Sequence, residues 1–79
     1  MLTRDSLKGL VLEALKANGG SARVVKVCKY IWENYEADLR SSGDLFYTWQ
    51  YDVRWAAQKL RDSGKLRAVK NSRSPWTLA

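Results

Sequence analysis

The sequence predicts a small α+β fold in which three helices are followed by a two-stranded β-hairpin. Apolar residues recur at helical spacing in three segments, which glycines or polar residues separate. After Gly64 the apolar residues alternate instead, as they do in a half-buried strand. The chain has 79 residues and is 46% hydrophobic, which indicates one domain, residues 1–79, with a single core and argues against disorder.

The first helix is predicted over about residues 4–18. Thr3 can cap its N-terminus, and Asp5 lies in the first turn, where the helix dipole favours an acidic side chain. Gly19 and Gly20 end the helix, because glycine adopts the left-handed conformation of a helix C-terminus without strain. The apolar face comprises Leu7, Leu10, Val11, Ala14 and Leu15.

The second helix is predicted over about residues 22–37, with Ser21 as its N-cap. Val25 and Trp32 lie beside its apolar face and can widen it. The polar residues of 39–46 predict a loop to the third helix. The apolar face of the second helix comprises Val24, Val27, Cys28, Ile31 and Tyr35.

The third helix is predicted over about residues 47–63, with Gly64 directly after it. The hairpin is predicted over about 65–79, and Pro75 begins its second strand or places that strand at an edge, because proline cannot donate a ladder hydrogen bond. The inward residues of the helix are Trp49, Val53, Ala56, Ala57 and Leu60. Those of the hairpin are Leu66, Trp76, Leu78 and either Ala68 or Val69.

This order of elements is that of a winged helix-turn-helix, with the hairpin as the wing. The alternative is a three-helix bundle with a frayed tail. The bundle would leave Trp76 and Leu78 without a surface to cover them, so the winged helix is favoured.

Charge is unevenly distributed along the chain. Residues 1–52 carry seven basic and seven acidic side chains, which cancel. Residues 53–79 carry seven basic side chains and one acid, Asp62, so this last third holds the whole net charge of +6. A basic region of this kind attracts polyanions, of which nucleic acid is the commonest. The alternative is a surface whose charge serves solubility alone.

The outward face of the third helix carries side chains suited to double-stranded DNA. A helix fits the major groove, a guanidinium can bond guanine O6 and N7, and a glutamine amide can bond adenine N6 and N7. Trp55 lies almost opposite the apolar face, and we expect other parts of the same chain to cover it. The predicted DNA contacts of this helix are Tyr47, Thr48, Gln50, Tyr51, Arg54, Trp55, Gln58 and Arg61.

The hairpin tip supplies a second group of predicted contacts. Lysine and arginine there would neutralise phosphates or enter a minor groove, while asparagine and serine would add hydrogen bonds. The alternative is an ordinary solvated turn. The predicted contacts of the tip are Lys70, Asn71, Ser72 and Arg73.

Nothing in the sequence predicts catalysis, a metal site or a cofactor. The chain has no histidine, one cysteine, no glycine-rich phosphate loop and no dense cluster of carboxylates. Cys28 falls on an apolar face and is predicted to be a core residue. The lone cysteine and the lack of a long apolar run predict a cytoplasmic protein, nucleoid-associated when bound to DNA, with no membrane span and no signal peptide.

The C-terminal half resembles the N-terminal domain of Mrr-type restriction proteins. The matching segments are DVRWAAQKLRDSGKL, residues 52–66, and PWTLA at the end. The motif positions are Val53, Arg54, Trp55, Ala56, Leu60, Gly64, Trp76 and Leu78. The resemblance implies a winged helix that binds DNA, in proteins whose separate nuclease domain cuts modified DNA. Ser74-Pro75 departs from the Arg-Gly that the family often has before the last tryptophan, and no nuclease domain is predicted here.

We therefore expect a non-catalytic protein that binds double-stranded DNA, alone, as a homodimer or with a separate partner protein. A small transcription regulator, a mobile-element factor and the DNA-reading part of a restriction system are all compatible with the sequence. The alternative is a protein–protein interaction module whose partner contacts the aromatic outer face of the third helix, with Tyr47, Tyr51 and Trp55 as anchors.

Overall fold

The predicted fold class is confirmed: three helices precede an antiparallel hairpin. The computed structural model describes residues 1–71 and 73–79, so Ser72 lies outside the described residues. Along the chain the elements are α1 (Ser6–Ala17), β1 (Ser21–Ala22), α2 (Val24–Arg40), α3 (Leu45–Asp62) and β2 (Trp76–Thr77).

The core lies between α1 and α3, which pack against each other more extensively than either packs against α2. All five residues predicted for the apolar face of α1 are buried, and so are all five predicted for α3. Ala56 and Ala57 are completely buried, and their small side chains let α3 approach its neighbours closely. The apolar spacing therefore predicted both of these helices correctly.

The predicted course of α2 was wrong at both ends. The helix begins at Val24 and continues to Arg40, so residues 39–40 belong to it rather than to a loop. Tyr35 has non-helical backbone angles, φ −132° and ψ 20°. Leu39, four residues after Tyr35, is fully buried in the last turn. Val25, which was expected to widen the apolar face, is instead 75% exposed.

Ser21 belongs to β1 and does not cap α2. The N-cap position of α2 is Arg23, whose side chain makes no capping hydrogen bond. The reason lies in the end of α1, where Gly19 adopts φ 78° and the Gly20 N–H donates to the Leu15 carbonyl oxygen at 2.7 Å. This is a Schellman ending, which turns the chain sharply enough for the next two residues to join the sheet.

β2 and the residue after it pair with segments on two sides. On one side it pairs antiparallel with β1, in the register Ser21 with Thr77 and Ala22 with Trp76. On the other side Leu66 and Leu78 form an antiparallel bridge, which closes the hairpin of residues 65–79. β2 starts directly after Pro75, as predicted, so the missing proline N–H interrupts no pairing.

The N-terminal segment and the loop before α3 are joined by a buried serine. Ser42 is 6% exposed; its hydroxyl donates to the Asp38 carbonyl oxygen and accepts a 2.8 Å hydrogen bond from the Leu2 N–H.

α3 starts at Leu45, two residues before the predicted boundary. Thr3 does not cap α1: its side chain contacts the Ser6 hydroxyl at 3.3 Å, and Asp5 occupies the N-cap position.

A second Schellman ending joins α3 to the hairpin. Gly64 has φ 80°, its N–H donates to the Arg61 carbonyl oxygen at 3.0 Å, and the Lys65 N–H donates to the Leu60 carbonyl oxygen at 2.9 Å. Leu66 follows and is 3% exposed. The hairpin is therefore held directly at the C-terminal end of α3.

Candidate nucleic-acid interface

The outer face of α3 forms an exposed row of side chains, which we call the α3 ridge. Val53 and Leu60 face the core, and the helical period places Tyr47, Tyr51, Arg54 and Gln58 about 100° to 160° around the helix from Val53, with Gln50 at about 60°. Tyr47 and Tyr51 are 82% and 78% exposed, which is unusual for such large side chains. The ridge consists of Tyr47, Gln50, Tyr51, Arg54 and Gln58, all exposed.

Arg54 lies at the centre of the ridge, between two clefts. Toward α2, a cleft of about 350 Å³ is lined by Arg54, Gln50 and Tyr51 together with Val24, Val25 and Cys28. Toward α1, a cleft of about 540 Å³ is lined by Arg54, Tyr51, Asp52 and Gln58 together with Arg4 and Trp55. Within residues 1–71 and 73–79, the guanidinium of Arg54 has no hydrogen-bond or ion-pair partner. It is therefore free to bind an external group.

Three other predicted contacts are already engaged within the helix. The Gln58 amide nitrogen donates to Asp62 Oδ1 at 2.9 Å, and Gln58 Oε1 accepts from Arg61 Nη2 at 3.1 Å. Arg61 is only half-exposed, and the Thr48 hydroxyl donates to Asp52 Oδ2 at 2.8 Å. These side chains would have to exchange an existing hydrogen bond for a contact with DNA.

Trp55 is half-buried, and its expected intramolecular cover is confirmed. The Arg4 guanidinium lies 4.0 Å from the centre of its ring, and the ammonium groups of Lys8 and Lys59 lie at 5.6 and 5.9 Å. The ring also packs against the edge of the core. Cations over a tryptophan face are attracted by its negative quadrupole.

The hairpin tip presents two exposed cations, Lys70 and Arg73. Asn71 shapes the turn, since its Oδ1 accepts a 2.8 Å hydrogen bond from the Arg73 N–H and its carbonyl oxygen accepts one from the Ser74 N–H at 3.2 Å. The predicted contact at Ser72 falls outside the described residues. Asn71 thus accepts hydrogen bonds from residues 73 and 74, and the side chains of Lys70 and Arg73 extend into solvent.

The basic C-terminal third has no acidic partners in the part of the chain that the structure describes. The two ion pairs found there are Lys8 with Asp5 at 3.4 Å and Arg40 with Glu36 at 2.8 Å. Both involve residues before position 53. The seven cations of residues 53–79 therefore have no ion-pair partner in that part of the chain, and their positive potential can attract a polyanion.

Sequence reasoning missed two clusters that fix α2. The hydroxyls of Tyr30 and Tyr35 donate to the carboxylate of Glu13 on α1 at 2.8 and 2.7 Å. These hydrogen bonds raise the pKa of both tyrosines. In addition, Trp32 stacks on Trp49 of α3 with ring centres 6.1 Å apart and planes 6° apart. Glu13 lies outside the apolar face of α1, so no sequence pattern pointed to it.

Cys28 lies in the cleft between α2 and α3 and is partly exposed. Burial raises the pKa of its thiol, and the nearby positive charge of Arg54 opposes this effect more weakly. A thiol with a raised pKa stays protonated and is a poor nucleophile. No group of three or more metal-binding side chains occurs among the described residues.

Comparisons with protein families, curated proteins and solved structures found no match to this chain. The resemblance to the Mrr-type N-terminal domain therefore stays a prediction. Among the described residues, no helix is sufficiently long and apolar to cross a bilayer. A function has to be inferred from the α3 ridge, the clefts beside it and the hairpin tip.

Proposed function

We propose that this chain is a non-catalytic, double-stranded DNA-binding winged helix. The α3 ridge enters the major groove, and the hairpin tip contacts the flanking sugar–phosphate backbone. The observation that carries this proposal is an exposed, unpartnered Arg54 at the centre of α3, in a C-terminal third whose seven cations have no acidic partner among the described residues. The resemblance to Mrr-type N-terminal domains supports the same function.

Arg54 is the residue we assign to direct base contact. A free guanidinium can donate two parallel hydrogen bonds to guanine O6 and N7, and a good bidentate contact discriminates against the wrong base by about 1–3 kcal/mol. Gln50 and Tyr51 lie beside it and are exposed, so they can contact an adjacent base or sugar. Gln58 joins them only when its hydrogen bond to Asp62 is exchanged for one to DNA.

Lys70 and Arg73 are assigned to the phosphate backbone. Both side chains are exposed and neither has an ion-pair partner among the described residues, so a phosphate can contact them without displacing one. Their contacts would be made with any base sequence, and they would set affinity and position more than specificity.

One observation favours a second candidate, a protein–protein interaction module. Val25, Tyr47 and Tyr51 are 75–82% exposed, and Val25 and Tyr51 border the cleft between α2 and α3. Exposed aromatic residues beside an arginine are typical of interface hot spots. A protein partner would bury these side chains and would not require the cations of the hairpin tip.

The experiment that tests the proposal measures the affinity for short DNA duplexes over a range of salt concentrations. If about five or six phosphates are neutralised, the log–log slope should be near −5. NMR shift mapping with the same duplex should perturb residues 47–61 and 70–73. A salt-insensitive affinity would overturn the proposal, as would the absence of perturbations, and the second result would favour the protein-partner function.

A further inference from the structure

A cluster of three cations surrounds one aromatic ring beside the α3 ridge. Arg4, Lys8 and Lys59 all lie within 5.9 Å of the centre of the Trp55 ring. They come from the segment before α1, from α1 itself and from α3. Arg4 and Lys8 lie one helical turn apart, as do Trp55 and Lys59, and the packing of α1 against α3 brings the two pairs together.

The cluster carries more positive than negative charge. Its acidic neighbour is Asp5, which pairs with Lys8 at 3.4 Å and whose side chain is 79% exposed. Asp52 lines the same cleft, so the three cations exceed the two neighbouring carboxylates by one charge. Among the described residues, Arg4 has no ion-pair partner. Like charges gathered around one ring repel one another, and an anion bound beside them would reduce the repulsion.

The backbone around Arg4 is held in position by hydrogen bonds and packing of the neighbouring residues. On one side of it the Leu2 N–H donates to the buried Ser42 hydroxyl at 2.8 Å, and the Leu2 side chain packs against the core. The Thr3 N–H donates to the Ser6 hydroxyl at 3.0 Å. The backbone is therefore fixed before any ligand arrives, which lowers the entropy lost on binding.

Two members of the cluster line the same cleft as the α3 ridge. Arg4 and Trp55 line one part of it, and Tyr51, Arg54 and Gln58 line the other, around a volume of about 540 Å³. A duplex whose bases contact Arg54 would bring its backbone along this cleft. A phosphate would then meet Arg4 at the rim.

We propose that Arg4 and Lys8, held over Trp55, bind a backbone phosphate of the same DNA duplex, on the α1 side of α3. This inference rests on the proposed function and extends it. The duplex would be gripped at the hairpin tip and also at the start of α1. The Trp55 ring lies against the Arg4 guanidinium and orients it, and the phosphate supplies a negative charge to the otherwise unpaired Arg4.

The test compares the salt dependence of duplex binding for wild type, Arg4→Ala, Lys8→Ala and Arg4→Lys. Loss of one phosphate contact should make the log–log slope shallower by about 0.9, which corresponds to roughly eightfold weaker binding at about 0.1 M salt. We expect this change for Arg4→Ala and Lys8→Ala, whereas Arg4→Lys should keep the wild-type slope. Lys16→Ala is the matched control, because Lys16 is an exposed cation in the last turn of α1.

A second readout follows the indole N–H resonance of Trp55, assigned with a Trp55→Phe variant. It should shift when duplex is added to wild type and shift less in Arg4→Ala. The inference is overturned if wild type binds with a steep salt slope while Arg4→Ala and Lys8→Ala behave like Lys16→Ala. If wild type itself shows no salt-dependent binding, the proposed function has failed instead, so the two failures are distinguishable.

Discussion

The two faces of α3 belong to the same 18-residue helix but serve different purposes. On the inner face, Val53 and Ala56 are completely buried and Trp49 is 5% exposed. On the outer face, Tyr47 and Tyr51 are about 80% exposed and Arg54 has no partner among the described residues. Side chains that stabilise the fold are thus separated from those that can bind without disturbing it.

The same contrast holds for polar groups. Those between the helices have partners within the protein: Glu13 accepts two tyrosine hydroxyls, and Ser42 bonds both Leu2 and Asp38. The cations of residues 53–79 have no such acidic partners in the described part of the chain. A net positive charge without acidic partners attracts polyanions.

The largest effect is expected from a change on the inner face. Leu60→Ala should lower the free energy of unfolding by about 2–5 kcal/mol, because it removes buried methyl groups and leaves a cavity. Tyr51→Ala on the outer face is the matched control and should change stability by less than about 0.5 kcal/mol. Urea denaturation followed by circular dichroism measures both. Equal losses for the two variants would contradict the proposed division of the helix.

The next largest effect is expected from replacing Arg54, at the centre of the α3 ridge. Arg54→Ala should weaken binding to a preferred duplex by about 1–3 kcal/mol without changing stability. Arg54→Lys keeps the charge but not the two parallel hydrogen bonds, so it should lose base discrimination while keeping the salt slope. Lys70→Ala should weaken all duplexes alike. Competition binding with selected and random duplexes separates these outcomes; unchanged discrimination in Arg54→Ala would contradict its assignment.

A smaller effect is expected at the junction between α3 and the hairpin. Gly64→Ala should destabilise the fold by about 1–2 kcal/mol, because alanine is strained at the left-handed φ of 80°. Gly9→Ala is the control: Gly9 lies inside α1 with no atom within 4 Å of an added methyl group, and alanine should stabilise the helix there by about 0.5–1 kcal/mol. Thermal unfolding should show opposite shifts, and shifts of the same sign would contradict the assigned turn.

The smallest effect concerns alkaline pH. Hydrogen bonds to Glu13 raise the pKa of Tyr30 and Tyr35, so folding favours their protonated forms. Their contribution to stability is complete below about pH 10, the ordinary tyrosine pKa, and is lost as the pH rises through the higher pKa of the folded state. Glu13→Gln removes the negative charge and should reduce this loss. Ultraviolet titration of tyrosinate should show two late-titrating tyrosines in wild type only; identical titrations would contradict the assignment.

The parts of the fold that the sequence predicted are those governed by local spacing. The apolar faces of α1 and α3 have clean helical periods, and each helix ends at a glycine with positive φ. α2 was harder because only Val27, Ile31 and Leu39 are buried in it, and its backbone departs from helical angles at Tyr35. β1 has only two residues, too few to show alternation, and its partner strand lies more than fifty residues away.

The same distinction applies to the candidate site, where local spacing predicted the exposed residues but not the contacts between distant segments. The exposure of Tyr51 and Arg54 follows from the helical period once Val53 is placed inward. The contact of Arg4 with Trp55 joins distant parts of the chain, and no spacing rule connects them. The hydrogen bonds that engage Gln58 and Thr48 depend on side-chain rotamers, which the pattern of residue types does not fix.

The pairing of β2 and the residue after it on two sides also has a consequence for biosynthesis. Thr77 pairs with Ser21, and Leu78 bridges Leu66, so both neighbouring segments depend on the same few late residues. A nascent chain cannot complete its sheet until these residues have left the ribosome. Until then Trp76 is missing from the core, and the earlier helices can form only a partly packed intermediate.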